Sequence, residues 1–567
     1  MTRLRGDADK GASSKDKDHD NASSNSMPES LSKARRIALV ATVTGAAFVN
    51  SVVIILPTIG RELNVPESRQ QWVVSSYSLA FGCFLLLWGR VADMYGKRLI
   101  FILGSAWVTI MTVVNPLVSH EVAFDIIRAL HGLVSLAYPT PNAPSDLVSM
   151  LQGAAANVPT AIGILGVTFP PGKAKNYAFS TYAAGAPLGS VSGNLLSGFI
   201  AQYSNWKWVF GATAVMACSV SIAGYLFIPS SVQAAPISQQ PAIDWIGAFL
   251  ITSGLVALMF ALTEGNVVGW QTPWVPVTIV SSLLVVLGFV LWQLRLERRH
   301  DPHRPPLVKM SMFRNLRFGA VMAIMFLFFA SFNNYLIYAT YFFQDFQHLS
   351  PLQTMLRFIP SGAAGAIIAL IVAQLLGRIP TFFILVCGNM AVSLASLLFA
   401  LPLPPTTSYF AFGLPAMLLA VVGADTTWPC LTLFISQALP SEHQAVGGAL
   451  INAVGQLGRA FGLAISTAVH TAVLASARRV SVNDAGPLRP WDPNSLHALR
   501  AANWVNCVFG LASLFVVIVA LRSMDIVGKP TPPRPYDVSH GPEHLPAVSP
   551  HKTSDPQPPL QCRQSAA

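Results

Sequence analysis

Ionisable side chains are rare in the long apolar stretches of this chain, so the few found there mark where chemistry can occur. Asp425, in Gly-Ala-Asp-Thr-Thr-Trp-Pro, lies near the middle of one such stretch; Arg459 lies at comparable depth in another, and Arg128 in a third. A charge in apolar surroundings is costly and usually functional. Asp425 is a candidate for binding and releasing a proton, and it could equally form a static bridge with Arg459. A second constellation is the string GRVADMYGKRLIF, with Gly89, Arg90, Asp93, Gly96, Lys97 and Arg98 between two apolar runs. Its glycines permit a tight turn and a close helix approach. Asp93 can accept hydrogen bonds from a helix N-terminus or pair with an arginine, which makes it a potential latch. Gly185, Gly189 and Gly193 recur every four residues and share one helix face, with Pro187 as a kink between them. Asn50, Asn333, Asn334, Tyr338 and Gln456 are polar groups on otherwise apolar helices. They are candidate liners of a substrate cavity, or alternatively interhelical hydrogen bonds.

The elements that carry these residues follow from composition. Of 567 residues 53% are hydrophobic and only 11% charged, with 32 Phe and 12 Trp. Mean hydropathy is +0.52. A soluble protein carries about 25% charged residues, so a bilayer is the expected solvent. Aromatic abundance fits an amphipathic pocket and membrane-interface belts alike. Apolar stretches of about 20 residues, enough for about 30 Å of hydrocarbon, fall at 37–57, 72–92, 99–118, 124–169, 177–200, 208–228, 244–263, 275–295, 319–343, 354–376, 381–401, 409–436, 447–474 and 502–522. The expected fold is therefore all-α and integral to the membrane, with fourteen spans. Six (37–228) and six more (319–522) form two halves around two intervening helices (244–295). Residues 1–36, rich in Ser, Lys and Asp, and residues 523–567, with ten prolines, read as disordered tails. Gly89-Arg90-Val91 and Gly377-Arg378-Ile379 each close the second span of a half, a faint internal repeat.

Basic residues near the span ends set the orientation. Lys33, Arg35, Arg36, Arg90, Lys97, Arg98, Lys173, Lys175 and the cluster from Arg295 to Arg317 fall on one side together with both tails. Arg61, Arg69, Lys207, Arg478, Arg479, Arg489 and Arg500 fall on the other. The bias places both tails in the cytoplasm, and no secretory leader is visible. Net charge +11 and pI near 9.5 are mostly this topology signal, so nucleic acid is not an expected partner.

The Gly89–Arg98 string resembles the G-x-x-x-D-x-x-G-[RK]-[RK] signature of the major facilitator superfamily. FVNSVVIILPTIGREL (48–63), NWKWVFG (205–211) and PLVKMSMFRNLRF (306–318) resemble its fourteen-helix drug:proton antiporter branch. The resemblance covers 37–522. It implies alternating access between the two halves, with the Gly89–Arg98 loop as cytoplasmic gate and the proton gradient, rather than a cofactor, as energy source. It also implies a role in proton coupling for Arg128. YAAGAPLGSVSGNLLSG, around Pro187, resembles the branch's antiport motif but departs from it: Ala186 stands where glycine precedes proline, and Ser190-Val191 replace the final pair. The expected function is proton-coupled export of drugs, toxins or secondary metabolites by a monomer in a plasma or vacuolar membrane of a fungus. Proton-coupled uptake, or a non-transporting sensor or inactive paralogue, are the alternatives. No side chain selects the substrate.

Span 4 is interrupted. Arg128, His131, Gly132 and Leu133 begin the branch's R-x-x-[QH]-G-x-G-x-A motif, which resumes at Gly153 after VSLAYPTPNAPSDLVSMLQ (134–152). Pro139, Pro141, Pro144 and Asp146 do not suit mid-membrane backbone. Excising the 19 residues joins Leu133 to Gly153 and restores the motif. Val134-Ser135 can be encoded GTGAGC, Ser145-Asp146 can hold a branch-point-like CTGAC, and Gln152 can be CAG, so the segment reads as a translated in-frame intron.

Other chemistries lack their residues. GVTFPPGKA (166–174) misses the phosphate-binding spacing. No His/Cys metal spacing and no serine nucleophile elbow occur, so neither an enzyme nor a metal site is expected. The six cysteines form no framework and read as free thiols.

Overall fold

The structure is a computed structural model that describes residues 32–48, 67–118, 120–132, 154–229, 242–299 and 304–527. Asn50, the 134–152 segment, most of the first tail and nearly all of the second lie outside the described residues. Fifteen α-helices occur among them: α1 Lys33–Phe48, α2 Glu67–Tyr95, α3 Lys97–Val114, α4 Glu121–Gly132, α5 Ala154–Thr168, α6 Lys173–Tyr203, α7 Lys207–Phe227, α8 Trp245–Val268, α9 Trp274–Arg299, α10 Leu316–Tyr341, α11 Pro351–Leu375, α12 Thr381–Ala400, α13 Tyr409–Ala438, α14 Gln444–Arg478 and α15 Pro493–Ala520. Ten helices among the described residues are long and apolar enough to cross a membrane. The 12-residue α4 and 15-residue α5 are each too short to cross alone.

Local chemistry sets the boundaries. Gly96 takes φ +103° between α2 and α3, a conformation suited to glycine. Ser350 and Gln353 form a reciprocal capping box at the start of α11, with Pro351 in its first turn. Asp492 accepts from the backbone N–H groups of Asn494 and Ser495 ahead of α15, where Pro493 fits the first position. Asp244 caps α8 through Gly247 N (2.9 Å) and also accepts from Trp292 Nε1 (3.0 Å) and Gln293 Nε2 (2.6 Å). One carboxylate thus staples α8 to α9.

Helices of the first group pack as α3 on α7, α2 on α4 and α5, and α1 on α6 and α7. Helices of the second group pack as α12 on α13 and α15, α10 on α14 and α15, and α11 on α13. The groups meet along two seams, α2 and α5 on α14, and α6 on α11 and α13. The second helix of each group thus packs on the fifth spanning segment of the other. Helix α8 covers the first seam, touching both α2 and α14. Cys83 on α2 lies 3.7 Å from Met259 Sδ on α8.

The apolar stretch at 124–169 resolves into two helices on one neighbour. Trp107 Nε1 on α3 donates to Leu130 O on α4 (2.8 Å), and Ser105 Oγ approaches Asn157 Oδ1 on α5 (3.4 Å). Further along α3, Lys97 meets Gly163 of α5. Both short helices therefore run antiparallel to α3, α4 along one part of it and α5 along the next. Several helices also exceed the apolar stretches that mark them: α2 begins at Glu67 and α14 spans Gln444–Arg478, because polar first and last turns continue the backbone ladder beyond the hydrocarbon-length core. Helix α6 continues through Pro187 without interruption. The Gly377–Ile379 repeat is partial: it follows α11 as a turn, whereas Gly89 and Arg90 lie inside α2. Thr381 stands where Asp93 would, and its Oγ1 accepts from Val527 N (3.0 Å). The described cysteines are free thiols.

Candidate functional site

The gate string sits where α2 meets α14. Gly89 presses its backbone onto α14: a Cβ there would lie 2.5 Å from Ala449 Cβ and 2.9 Å from Ala445 O. Gly448 on α14 does the same against Ile162 of α5, 2.9 Å away. Small residues on both faces let the helices touch at backbone distance. At the end of this seam Asp93 crosses from α2 to the N-terminus of α14. Its Oδ1 accepts from Ala445 N (3.2 Å) and its Oδ2 from Val446 N (2.9 Å). A helix N-terminus exposes unpaired N–H groups and a partial positive charge, so a carboxylate is the complementary cap. Here the cap comes from the other helix group. Lys97 Nζ completes the arrangement, 2.8 Å from Asp93 Oδ1. Arg90 is buried, with Asp93 and Glu442 as its acidic neighbours. Arg98, expected in the gate, faces elsewhere: Nη2 donates to Tyr225 O (2.8 Å) and the guanidinium lies 5.7 Å from the Tyr225 ring. It ties α3 to α7 within one group.

The turn before α14 contributes residues that the sequence reading missed. Gln444 Nε2 donates to Ser436 O (3.1 Å), and its side chain abuts Gly166. His443 lies beside Lys309, Arg90 and Lys97. Burial and these cations push it down to about 4, with Glu442 opposing. The signal was present as Ser441-Glu442-His443-Gln444, a serine followed three residues later by glutamine ahead of an apolar run.

Deeper in the bundle the three charges occupy separate places. Asp425 on α13 is 2% exposed, and its Oδ2 has no hydrogen-bond partner among the described residues. It faces Gly365 of α11. Arg459 does not pair with it. The guanidinium instead lies 4.9 Å from the Phe329 ring centroid, and Phe329 packs edge-on against Trp428 at 5.9 Å. Of the two readings of Asp425, the static bridge to Arg459 is not formed in this structure, where the Phe329 face holds the cation. Arg128 is buried on α4 over Tyr77 (5.8 Å), whose ring meets His131 at 5.4 Å. Arg128 Nε, His131 Nε2 and Tyr77 Oη have no hydrogen-bond partner among the described residues.

The proposed cavity liners divide. Asn334 is fully buried at the α10–α14 contact, donating to Ala330 O (2.6 Å) and facing Gly462. Tyr338 donates to Thr467 Oγ1 (3.3 Å) across the same contact. Both serve helix packing in this conformation. Asn333 is half-buried on α10. Gln456 projects from α14 onto Gly82 of α2, at the seam between the groups. Gly185 and Gly189 are buried on α6, and Gly193 is half-buried. Asn389 and Asn506 carry hydrogen bonds that the sequence reading overlooked: Ser513 Oγ donates to Asn389 Oδ1 (2.6 Å), and Ser466 Oγ to Asn506 Oδ1 (2.8 Å).

Two helix groups, clamped at one end by a carboxylate that one lends to the other, define a multi-pass membrane protein of the transporter class. The sequence profile of the Major Facilitator Superfamily matches residues 37–144 and 147–463, and the chain belongs to that family. An uncharacterized MFS-type transporter of Schizosaccharomyces pombe is 31% identical over 417 residues, covering 73% of this chain and 75% of its own. The low affinity ammonium transporter of Saccharomyces cerevisiae is 27% identical (74% and 77% covered), and efflux pump terJ of Aspergillus terreus is also 27% identical (78% and 82%). The fold matches the human organic anion transporter MFSD10 with a TM-score of 0.56 at 15% identity, covering 86% of this chain and 100% of that one.

Proposed function

We propose that the protein is a proton-driven exporter of small organic molecules such as drugs, toxins or secondary metabolites, working as a monomer by alternating access. The observation that carries this reading is the Asp93 cap on α14. It joins the two helix groups at one end only by contacts that a tilt can break and remake. In this reading the chain has fourteen spans in a 6 + 2 + 6 order, with α4 and α5 as the two parts of span 4 and α8 and α9 as the intervening pair. The basic residues gathered at the Asp93 end make that end, and both tails, cytoplasmic. The plasma membrane is the favoured location. The gate is then shut towards the cytoplasm. Asp425, buried without a cation, is the candidate proton carrier, and Arg128 with Tyr77 and His131 forms a second polar site for coupling. Pumps named for efflux among the relatives favour export. The ammonium transporter of yeast favours a second reading, proton-coupled uptake.

Purified protein in sealed vesicles loaded with dyes and toxins, under an imposed pH gradient, separates the readings. Gradient-driven accumulation on the side opposite the tails is expected. Accumulation on the tail side would establish uptake, and no movement with retained substrate binding would make the protein a sensor or an inactive paralogue.

A further inference from the structure

Helices α1 and α6 run side by side and parallel, both starting at the Asp93 end of the bundle. Between them lies an open groove of about 440 Å³, within the range of small-molecule sites. Its lining is mostly apolar, with Ile37 and Ala41 from α1, Ala178 from α6 and Phe169 beneath. Its mouth is different. Lys33 and Arg36 stand there, one turn apart on α1, and no acidic residue among the described residues lines the groove. The first turn of α6 adjoins them through Ala174. That helix has Gly172 at its N-cap and no side-chain cap, so its leading N–H groups and positive dipole end are left for a ligand or solvent. Two cations and an uncapped helix start thus share one opening, and an apolar slot one to two helical turns long runs inward from it.

This combination fits a molecule with an anionic head and a hydrocarbon tail. We propose that the α1–α6 groove is a binding site for an anionic phospholipid, its phosphate held at Lys33 and Arg36 and one acyl chain lying along Ile37, Ala41 and Ala178. Charge complementarity selects the head, and basic pockets between spanning helices are where such headgroups dock. The position selects a lipid over a soluble anion, because the slot opens at the end of the bundle where helix starts meet the headgroup layer. The inference rests on the proposed membrane topology but not on transport or its direction.

Full-length protein in mixed micelles, which have no sidedness, provides the test. Wild-type protein is expected to retain dioleoyl-phosphatidylserine over dioleoyl-phosphatidylcholine in native mass spectra. The Lys33→Ala/Arg36→Ala pair should lower phosphatidylserine retention on the order of tenfold. Ala41→Trp, at an exposed position, keeps both charges and fills the slot, and it should lower retention comparably. Equal retention of the two lipids by wild type would overturn the proposal. So would loss in the charge variant with none in Ala41→Trp, which would reduce the effect to surface attraction, or full competition by soluble glycerophosphoserine, which lacks chains. A variant that loses lipid yet still transports leaves the proposed function standing, and a wild type that binds lipid without transporting leaves the groove standing.

Discussion

At the scale of single residues the Asp93 cap on α14 is the most sharply determined feature. A carboxylate capping a helix end is worth about 1–2 kcal/mol, enough to change a two-state balance by roughly 5–30-fold. Asp93→Ala should therefore favour the state in which α2 and α14 part at this end. Gly89→Val should do so more strongly, because its Cβ would lie 2.5 Å from Ala449 Cβ. Both are expected to raise thiol labelling of a cysteine placed at Ala449, applied from the Asp93 end, and to slow transport; unchanged labelling would remove Asp93 from the gate. Asp425 makes a different prediction. It is buried with Oδ2 unpartnered among the described residues, and the proposed reading makes it the proton carrier. Asp425→Asn should cut gradient-driven transport on the order of tenfold or more while leaving substrate binding in place. Transport that keeps its dependence on pH would exclude Asp425 from coupling. Arg459, set against Phe329, is better read as holding an aromatic wall than as the partner of Asp425.

Among the elements, α4 and α5 carry the clearest prediction. Both lie along α3, Trp107 reaching Leu130 of one and Ser105 meeting Asn157 of the other. Deleting 134–152 should therefore leave one continuous helix, with folding and transport at least as good as in the 567-residue chain. Complementary DNA read across the junction is the direct check; a sole transcript retaining the segment would end the intron reading. The helical class was legible because apolar runs and terminal charges need only local chemistry to be read. The close approach at Gly89, the helix-capping carboxylate of Asp93 and the turn at Gly96 were legible for the same reason, each type having few other uses at that spacing. Pairings across helices were not. Nothing in one strand of sequence says that Arg98 would turn to Tyr225, that Arg459 would choose Phe329, or that Asn334 and Tyr338 would be consumed in the α10–α14 contact. Those outcomes depend on helix rotation, which apolarity on all sides leaves undetermined.

Over the whole molecule, protonation at the Asp93 end should bias the two helix groups. His443 is pushed down to about 4 in the closed arrangement by burial and by Lys309, Arg90 and Lys97. In an opened or unfolded state it returns towards its ordinary value of about 6.5. As pH falls from about 6.5 towards 4, the open form takes up a proton that the closed form refuses, so closure weakens over that window and is unaffected above it. Thermal stability followed from pH 7.5 to 4.5 should show this loss, and His443→Gln should flatten it; equal slopes would assign the effect to other groups. One helix joins that end to the far one. The 35 residues of α14 make a rod of about 52 Å. Asp93 of α2 grips its start, and Arg478 in its last turn grips Asp492 (3.1 Å), the last residue of the loop that leads into α15, and Ser495 (3.1 Å) in the first turn of α15. Trp491 in that loop donates its backbone N–H to Phe346, just beyond α10 (3.1 Å). In the alternating-access reading proposed above, such a rod would act as a lever: when its start swings free of Asp93, its far tip would carry the 479–492 loop the opposite way, so that unlocking one mouth of the bundle and shutting the other would be a single displacement.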